Sequence, residues 1–248
     1  MLIGFWAGSV AAEKRSASFG VNPVHISNLL WLGLIAGLVG ARLTYVIVNF
    51  PVFLKDLLGI ISFRPGMLDF EGGAVCGVLA GLVYGQKIRL AFLPTLDALT
   101  PALAALAIAT GFACLAVGEC YGIPTTQPWG ILLWGELRHP TQVYLILATV
   151  AAAGVLFARK GNRIVGLWQA DIAGVHILVF MFLVALAWII IDPFRASSTM
   201  LAGVFRPVQI LAWVVQAVCL ALLFRLTKKA SIPTLELESS PSGQSNRE

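Results

Sequence analysis

Six stretches of this chain are long and apolar enough to read as membrane-spanning helices, and that fact limits what the chain can fold into more than any other. They cover roughly 27–50, 69–86, 92–117, 140–158, 165–191 and 207–225. An α-helix rises 1.5 Å per residue, so about 20 apolar residues cross the hydrocarbon core. Residues 1–12 form a seventh, shorter run that reaches about 18 Å. Only 12% of the 248 residues are charged, against about 25% in soluble domains. So few charges cannot coat a water-soluble globule. The expected fold is an all-α integral membrane protein with about seven transmembrane helices over residues 1–229, followed by a disordered cytoplasmic tail over 230–248 that is rich in Ser, Pro and Glu.

Lys and Arg give the orientation, because they concentrate in cytoplasmic loops. Lys14 and Arg15 follow the first run, Lys87 and Arg89 the third, Arg159, Lys160 and Arg163 the fifth, and Arg225, Lys228 and Lys229 the seventh. The opposite loops carry only Lys55, Arg64, Arg138, Arg195 and Arg206. The bias alternates at every loop, which predicts the N-terminus outside, the C-terminus in the cytoplasm and seven crossings. The basic residues form no stripe or tail of the kind that binds nucleic acid. The first twelve residues lack a positive leading region, so no cleavable signal peptide is expected.

Within the spans, Gly33, Gly37 and Gly40, and Gly73, Gly77 and Gly81, recur every three or four residues, a spacing that lets helices approach closely in lipid. Segment 118–139 holds Gly122, Pro124, Pro128 and Gly130 and is expected to be irregular and folded on itself. Cys76, Cys114, Cys120 and Cys219 make no CxxC or Cys/His pattern and read as small buried hydrophobes. With three scattered histidines, no metal site and no cofactor are expected.

Ionisable side chains inside spans are expensive and so mark function by default. Arg42 lies about 12 Å below the outer surface, where it either snorkels outward, pairs with an acid, or forms an anion site. Glu71, at the outer end of the next span, is a candidate partner for it. Asp97 and Asp171 read as caps or interhelical partners, and His176 as a hydrogen-bonded packing residue. The strongest local feature is Arg138-His139-Pro140-Thr141-Gln142-Val143-Tyr144. Pro140 suits a first helical turn. An outward-facing helix N-terminus beside Arg138 and His139 then favours phosphate, with Thr141 and Gln142 adding hydrogen bonds and His139 able to exchange a proton. The plainer alternative is an ordinary interfacial helix start. Arg195 and Arg206 flank the last outer loop. With Arg42 and Arg138 they suggest an outer-facing site for an anionic lipid headgroup.

Several segments, in order over nearly the whole chain, resemble prolipoprotein diacylglyceryl transferase. Gly40-Ala41-Arg42-Leu43-Thr44-Tyr45-Val46 resembles the family's GARxxYV, Phe70-Glu71-Gly72-Gly73 its FHGG, and Asp97 with Pro101 its D-x3-P. Gly118-Glu119-Cys120-Tyr121-Gly122 resembles NGExxG, Pro128-Trp129-Gly130 resembles PWG, and Arg138 to Tyr144 resembles RHPSQLYE. Phe194-Arg195 resembles EFFR and Gln209 the family's GQ. The resemblance implies a seven-span enzyme at the outer face of the bacterial inner membrane. It would move a diacylglyceryl group from phosphatidylglycerol to the lipobox cysteine of a preprolipoprotein. By the same resemblance His139 or Glu71 acts as base, Arg42, Arg138, Arg195 and Gln142 hold the lipid phosphate, and Gly72, Gly73, Glu119, Tyr144 and Gln209 support the site.

The sequence also departs from the family pattern. Glu71 stands where the family has His before Gly-Gly; Gly111, Cys114, Val117 and Trp188 stand at its Arg, Asn, Asn and Arg positions, and Leu145 at its Glu. Charge from Lys or Arg carries phosphate stabilisation, so those losses matter. Two readings stay open: a divergent transferase, and a catalytically inactive relative that binds anionic lipid or preprolipoprotein.

Overall fold

The computed structural model describes residues 1–54, 59–60, 65–157, 172–196, 198 and 206–239. The main helices are α1 (Leu2–Ser16), α2 (Pro23–Val48), α3 (Phe70–Lys87), α4 (Phe92–Val117), α5 (Thr141–Phe157), α6 (Val175–Ile191) and α7 (Pro207–Ser239). Among the described residues, four helices are long and apolar enough to cross a bilayer: Pro23–Val48, Phe92–Val117, Val175–Phe194 and Pro207–Lys228; Thr141–Phe157 is apolar but shorter. The chain falls into two compact units, Ser9–Leu99 on one hand and Met1–Gly8 with Thr100–Glu248 on the other.

In the Ser9–Leu99 unit, α2 begins at Pro23, four residues before the apolar run expected from 27, for local reasons. Asn22 caps it by accepting from the Val24 N–H at 2.9 Å, and Pro23 occupies the first helical position. Asp69 caps α3 through Oδ1, which accepts from the Gly72 N–H at 2.7 Å, while its own N–H donates to Ala41 O at 3.0 Å and ties the cap to α2. The two helices then press glycine on glycine. A Cβ on Gly77 would lie 2.8 Å from Gly33 O, and one on Gly73 would lie 2.7 Å from Gly37 O. The three-and-four spacing is thus the contact seam expected of it; Gly81 meets only Leu29 at ordinary distance.

In the other unit, Ala104 of α4, Ala152 of α5 and Phe180 of α6 share one buried cluster. Val175 and Val179 of α6 share a second with Leu223 of α7. α6 begins at Val175 after Gly174, which adopts φ +94°, a left-handed conformation; the expected start at 165, like all of residues 158–171 with Arg159, Lys160, Arg163 and Asp171, lies outside the described residues, as do Lys55 and Arg64. α7 continues to Ser239, past the expected start of the disordered tail at Ala230, through helix-favouring Leu235, Glu236, Leu237 and Glu238.

The all-α expectation also needs correcting between α4 and α5. Segment 118–139 carries an antiparallel hairpin, β1 (Ile131–Leu133) with β2 (Glu136–Arg138). Trp134 and Gly135 form its turn, both at positive φ (55° and 82°), the geometry that matches strand twist in two-residue hairpins. The layer widens by isolated bridges, Pro124 to Arg138 and Gly122 to Arg195. Tyr121 to Thr125 therefore runs between β2 and the short stretch after α6. We call this small layer the head.

Candidate functional site

The head fixes His139 by its backbone. The His139 N–H donates to Ile123 O at 3.1 Å, and His139 O accepts from Gly122 N–H and Thr141 N–H, both at 2.9 Å. On the other side of the same segment, the Ile123 N–H donates to Phe194 O at 2.8 Å and the Ala196 N–H to Tyr121 O at 3.1 Å. The seam closes only because residue 122 is glycine. A Cβ there would lie 2.5 Å from His139 Cβ and 2.6 Å from both His139 O and Phe194 O.

The imidazole lies against the Phe194 ring, with centroids 5.1 Å apart and planes at 60°. His139 Nδ1 is 3.1 Å from Tyr144 Oη, and Trp129 Nε1–H donates to the same hydroxyl at 2.9 Å. These three side chains form the polar end of a groove of about 600 Å³. Its length is apolar: Ala148 of α5, Ala187, Ile190 and Ile191 of α6, and Phe194, with Gln127 at the rim. The volume falls in the usual range for small-molecule sites. Trp129 and Ile190 are each 58% exposed, so the groove opens outward.

Arg138 points its Nη2 at Glu136 Oε2, 2.6 Å away and two residues back on the same strand face, and its guanidinium lies 5.0 Å from the centre of the Tyr121 ring. Its Nε is buried without a partner among the described residues. Arg195 stacks over Trp188 at 4.9 Å. Across the head layer, Arg138 and Arg195 thus flank the same Gly122–Pro124 segment from opposite sides. Arg206 Nη1 donates to Asp192 O at 2.9 Å, and Gln209 Nε2 to Ile189 O at 3.0 Å, which docks α7 on α6.

The start of α5 is covered by the end of α4. Thr141 Oγ1 donates to Cys120 O and Gln142 Nε2 to Glu119 O, each at 2.6 Å. Gln142 is 2% exposed, and its Oε1 has no partner among the described residues. Glu119 contributes its carbonyl to this contact while its side chain faces outward. A disulfide joins Cys114 to Cys120, with Cα atoms 5.7 Å apart. This corrects the reading of all four cysteines as small hydrophobes; only Cys76 and Cys219 are free. Gly111, which the resemblance sets at a family Arg, is where α4 packs tightly on α5. A Cβ there would lie 2.5 Å from Ile146 Cγ1 and 3.3 Å from Gln142 O, so that backbone position has no room for a long side chain.

In the Ser9–Leu99 unit, Arg42 is 3% exposed. Its Nε donates to Ile60 O at 3.0 Å, its Nη1 to Met67 O at 2.8 Å and its Nη2 to Gly59 O. The Tyr45 and Phe53 rings lie 5.7 and 5.2 Å from its carbon. The expected pairing with Glu71 is absent: all three guanidinium nitrogens go to loop carbonyls, a dense set of acceptors that outcompetes a solvent-facing acid. Glu71 is exposed in the first turn of α3. Gly72 sits against Thr44 and Gly73 against Ala41 of α2, so both glycines serve helix contact.

Sequence reasoning missed three parts of this arrangement. Trp129 was visible only as part of a motif, and nothing local says that its N–H reaches a residue fifteen positions on. Glu136, two residues before Arg138, was a legible strand-face partner once a strand was suspected. The apolar groove wall comes from residues on separate helices and has no linear signature.

Comparison with known proteins places the chain in context. The profile describing prolipoprotein diacylglyceryl transferase matches residues 1–225. A phosphatidylglycerol–prolipoprotein diacylglyceryl transferase of Clostridioides difficile (strain 630) is 28% identical over 213 residues, covering 86% of this chain and 82% of the relative. That of Clostridium tetani is 30% identical over 203 residues, covering 73% and 77%. That of Thermotoga maritima is 26% identical over 219 residues, covering 82% and 71%.

Proposed function

Because the chain belongs to the prolipoprotein diacylglyceryl transferase family, we propose that it moves a diacylglyceryl group from phosphatidylglycerol to the thiol of a lipobox cysteine in a preprolipoprotein. The observation that carries this reading is the groove of about 600 Å³, apolar along its length and ended by His139, Tyr144 and Trp129. A lipid fits such a shape with a chain along the helices and its headgroup at the polar end. In the reaction the lipobox thiol loses its proton to water, since the thiolate is the nucleophile. Its electron pair forms the carbon–sulfur bond at the glyceryl carbon. The carbon–oxygen bond breaks, and its pair leaves on glycerol phosphate. The protein's contribution is to hold that phosphate while charge gathers on it. His139 and Arg138 are our candidates for this, with Arg195 on the far side of the head.

We place the work at the outer leaflet of a bacterial inner membrane, with seven crossings, the N-terminus outside and the C-terminus in the cytoplasm. The alternation of Lys and Arg between loops supports this orientation. So does the Cys114–Cys120 disulfide beside the head, because such bonds persist in oxidising compartments.

A second reading, a non-catalytic relative that binds lipid or preprolipoprotein, is favoured by specific features. Arg42 donates to loop carbonyls, the Gln142 amide nitrogen is engaged by Glu119 O, and Gly111 leaves no space for an arginine. One experiment separates the two. Purified protein in phosphatidylglycerol vesicles is given a labelled lipobox peptide beside the Arg138→Ala and His139→Ala variants. Transfer by the parent that drops in both variants is expected. Phosphatidylglycerol binding with no transfer by the parent selects the second reading.

A further inference from the structure

Tyr144 Oη meets two nitrogens, and no other polar atom among the described residues: Trp129 Nε1 at 2.9 Å and His139 Nδ1 at 3.1 Å. An indole nitrogen only donates, so Trp129 occupies a lone pair of the phenol oxygen. Among the described residues the phenol's own proton then has one acceptor in reach, His139 Nδ1. Were Nδ1 protonated instead, Oη would accept from two N–H groups and its own O–H would be left without a partner at this half-buried position, an unfavourable arrangement. The neutral imidazole therefore carries its proton on Nε2. Its backbone is pinned on both sides by the head, and Phe194 packs at 60° to the ring plane, so the orientation as well as the tautomer is set.

We propose that Trp129 is a positioning residue. Through Tyr144 it fixes His139 as the Nε2–H tautomer, so that the imidazole presents a hydrogen-bond donor to the groove, where it holds an anionic oxygen and does not remove a proton. That this oxygen belongs to a lipid phosphate rests on the function proposed above; the tautomer rests only on the donor and acceptor count.

The protein has three histidines, so 15N-histidine labelling in lipid nanodiscs reads the tautomer directly, with the His139→Gln spectrum identifying the signal. Under conditions where the ring is neutral, the parent is expected to show Nε2 protonated and Nδ1 as the acceptor nitrogen. Trp129→Phe keeps a ring and drops the N–H. It is expected to release the second tautomer and to lower kcat/KM about fivefold, the size of one net hydrogen bond. Tyr144→Phe is expected to abolish the tautomer preference, and adding Trp129→Phe to it should change nothing more, since the two act as one unit. A parent spectrum with Nδ1 protonated overturns the proposal, as does a Trp129→Phe spectrum identical to the parent's. The predicted tautomer in a protein without transfer activity upholds this inference and removes the transferase reading instead.

Discussion

Replacing Gly122 with alanine puts a methyl group into the tightest seam of the head. The backbone there has no left-handed angle, so the cost is steric, not conformational. The new Cβ would lie 2.5 Å from His139 Cβ and 2.6 Å from His139 O and Phe194 O. Ordinary contact starts near 3.4 Å, so the flanking segments must part by about 0.9 Å. Overpacking of this kind costs about 1–3 kcal/mol. The Gly122–His139 and Ile123–Phe194 hydrogen bonds, now 2.9 and 2.8 Å, would stretch beyond useful length, and losing two adds about 1–3 kcal/mol. We expect a destabilisation of about 2–6 kcal/mol, measured by unfolding in mixed micelles. A displacement near 1 Å at His139 should also reduce transfer about 100-fold. Gly154→Ala is the control: nothing lies within 4 Å of its Cβ position, and alanine in a helix interior should gain about 0.5–1 kcal/mol. A Gly122→Ala protein within about 0.5 kcal/mol of the parent that transfers at the parental rate would refute the reasoning.

Other positions yield shorter predictions. Arg42→Ala should cost about 3 kcal/mol, because Gly59, Ile60 and Met67 lose their donor, while phosphatidylglycerol affinity in a vesicle-binding assay stays unchanged; a loss of affinity without loss of stability would restore Arg42 as a phosphate ligand. Gly77→Ala drives a methyl group to 2.8 Å from Gly33 O and should destabilise the α2–α3 seam by about 1–3 kcal/mol in mixed-micelle unfolding. Alkylation of denatured, unreduced protein should add two groups, at Cys76 and Cys219, and four after reduction, as counted by intact mass. The Cys114→Ser, Cys120→Ser double variant should lose about 2 kcal/mol, as expected for so short a loop.

The sequence made helices legible and side-chain partnerships only partly so. The apolar run set α2 within a few residues, and the glycine spacing marked helices built for close approach, because both signals are local. Arg138 and His139 stood out because charge beside an apolar run is rare. Arg42 stood out for the same reason, but rarity does not say what a guanidinium binds; its acceptors are backbone carbonyls, which every residue carries. The hairpin stayed hidden because its turn puts Trp134, a non-glycine residue, at positive φ. The disulfide stayed hidden because a separation of six residues on apolar ground matches no motif. The groove wall is assembled from α5, α6 and the head, and no linear pattern encodes that meeting.

The groove's exposed rim has a consequence for supply. Ile190, Phe194 and Trp129 open it along the apolar flanks of the helices, so under the function proposed above an amphiphile would reach it by lateral diffusion within one leaflet. The quantity that fills such a site is the mole fraction of that amphiphile among its neighbours, not its amount per volume of buffer. Adding inert detergent or lipid at fixed total ligand then dilutes the surface and slows the protein, although nothing in the aqueous phase has changed. Saturation curves drawn at different detergent concentrations should separate when plotted in molar units and collapse onto one curve when plotted in mole per cent.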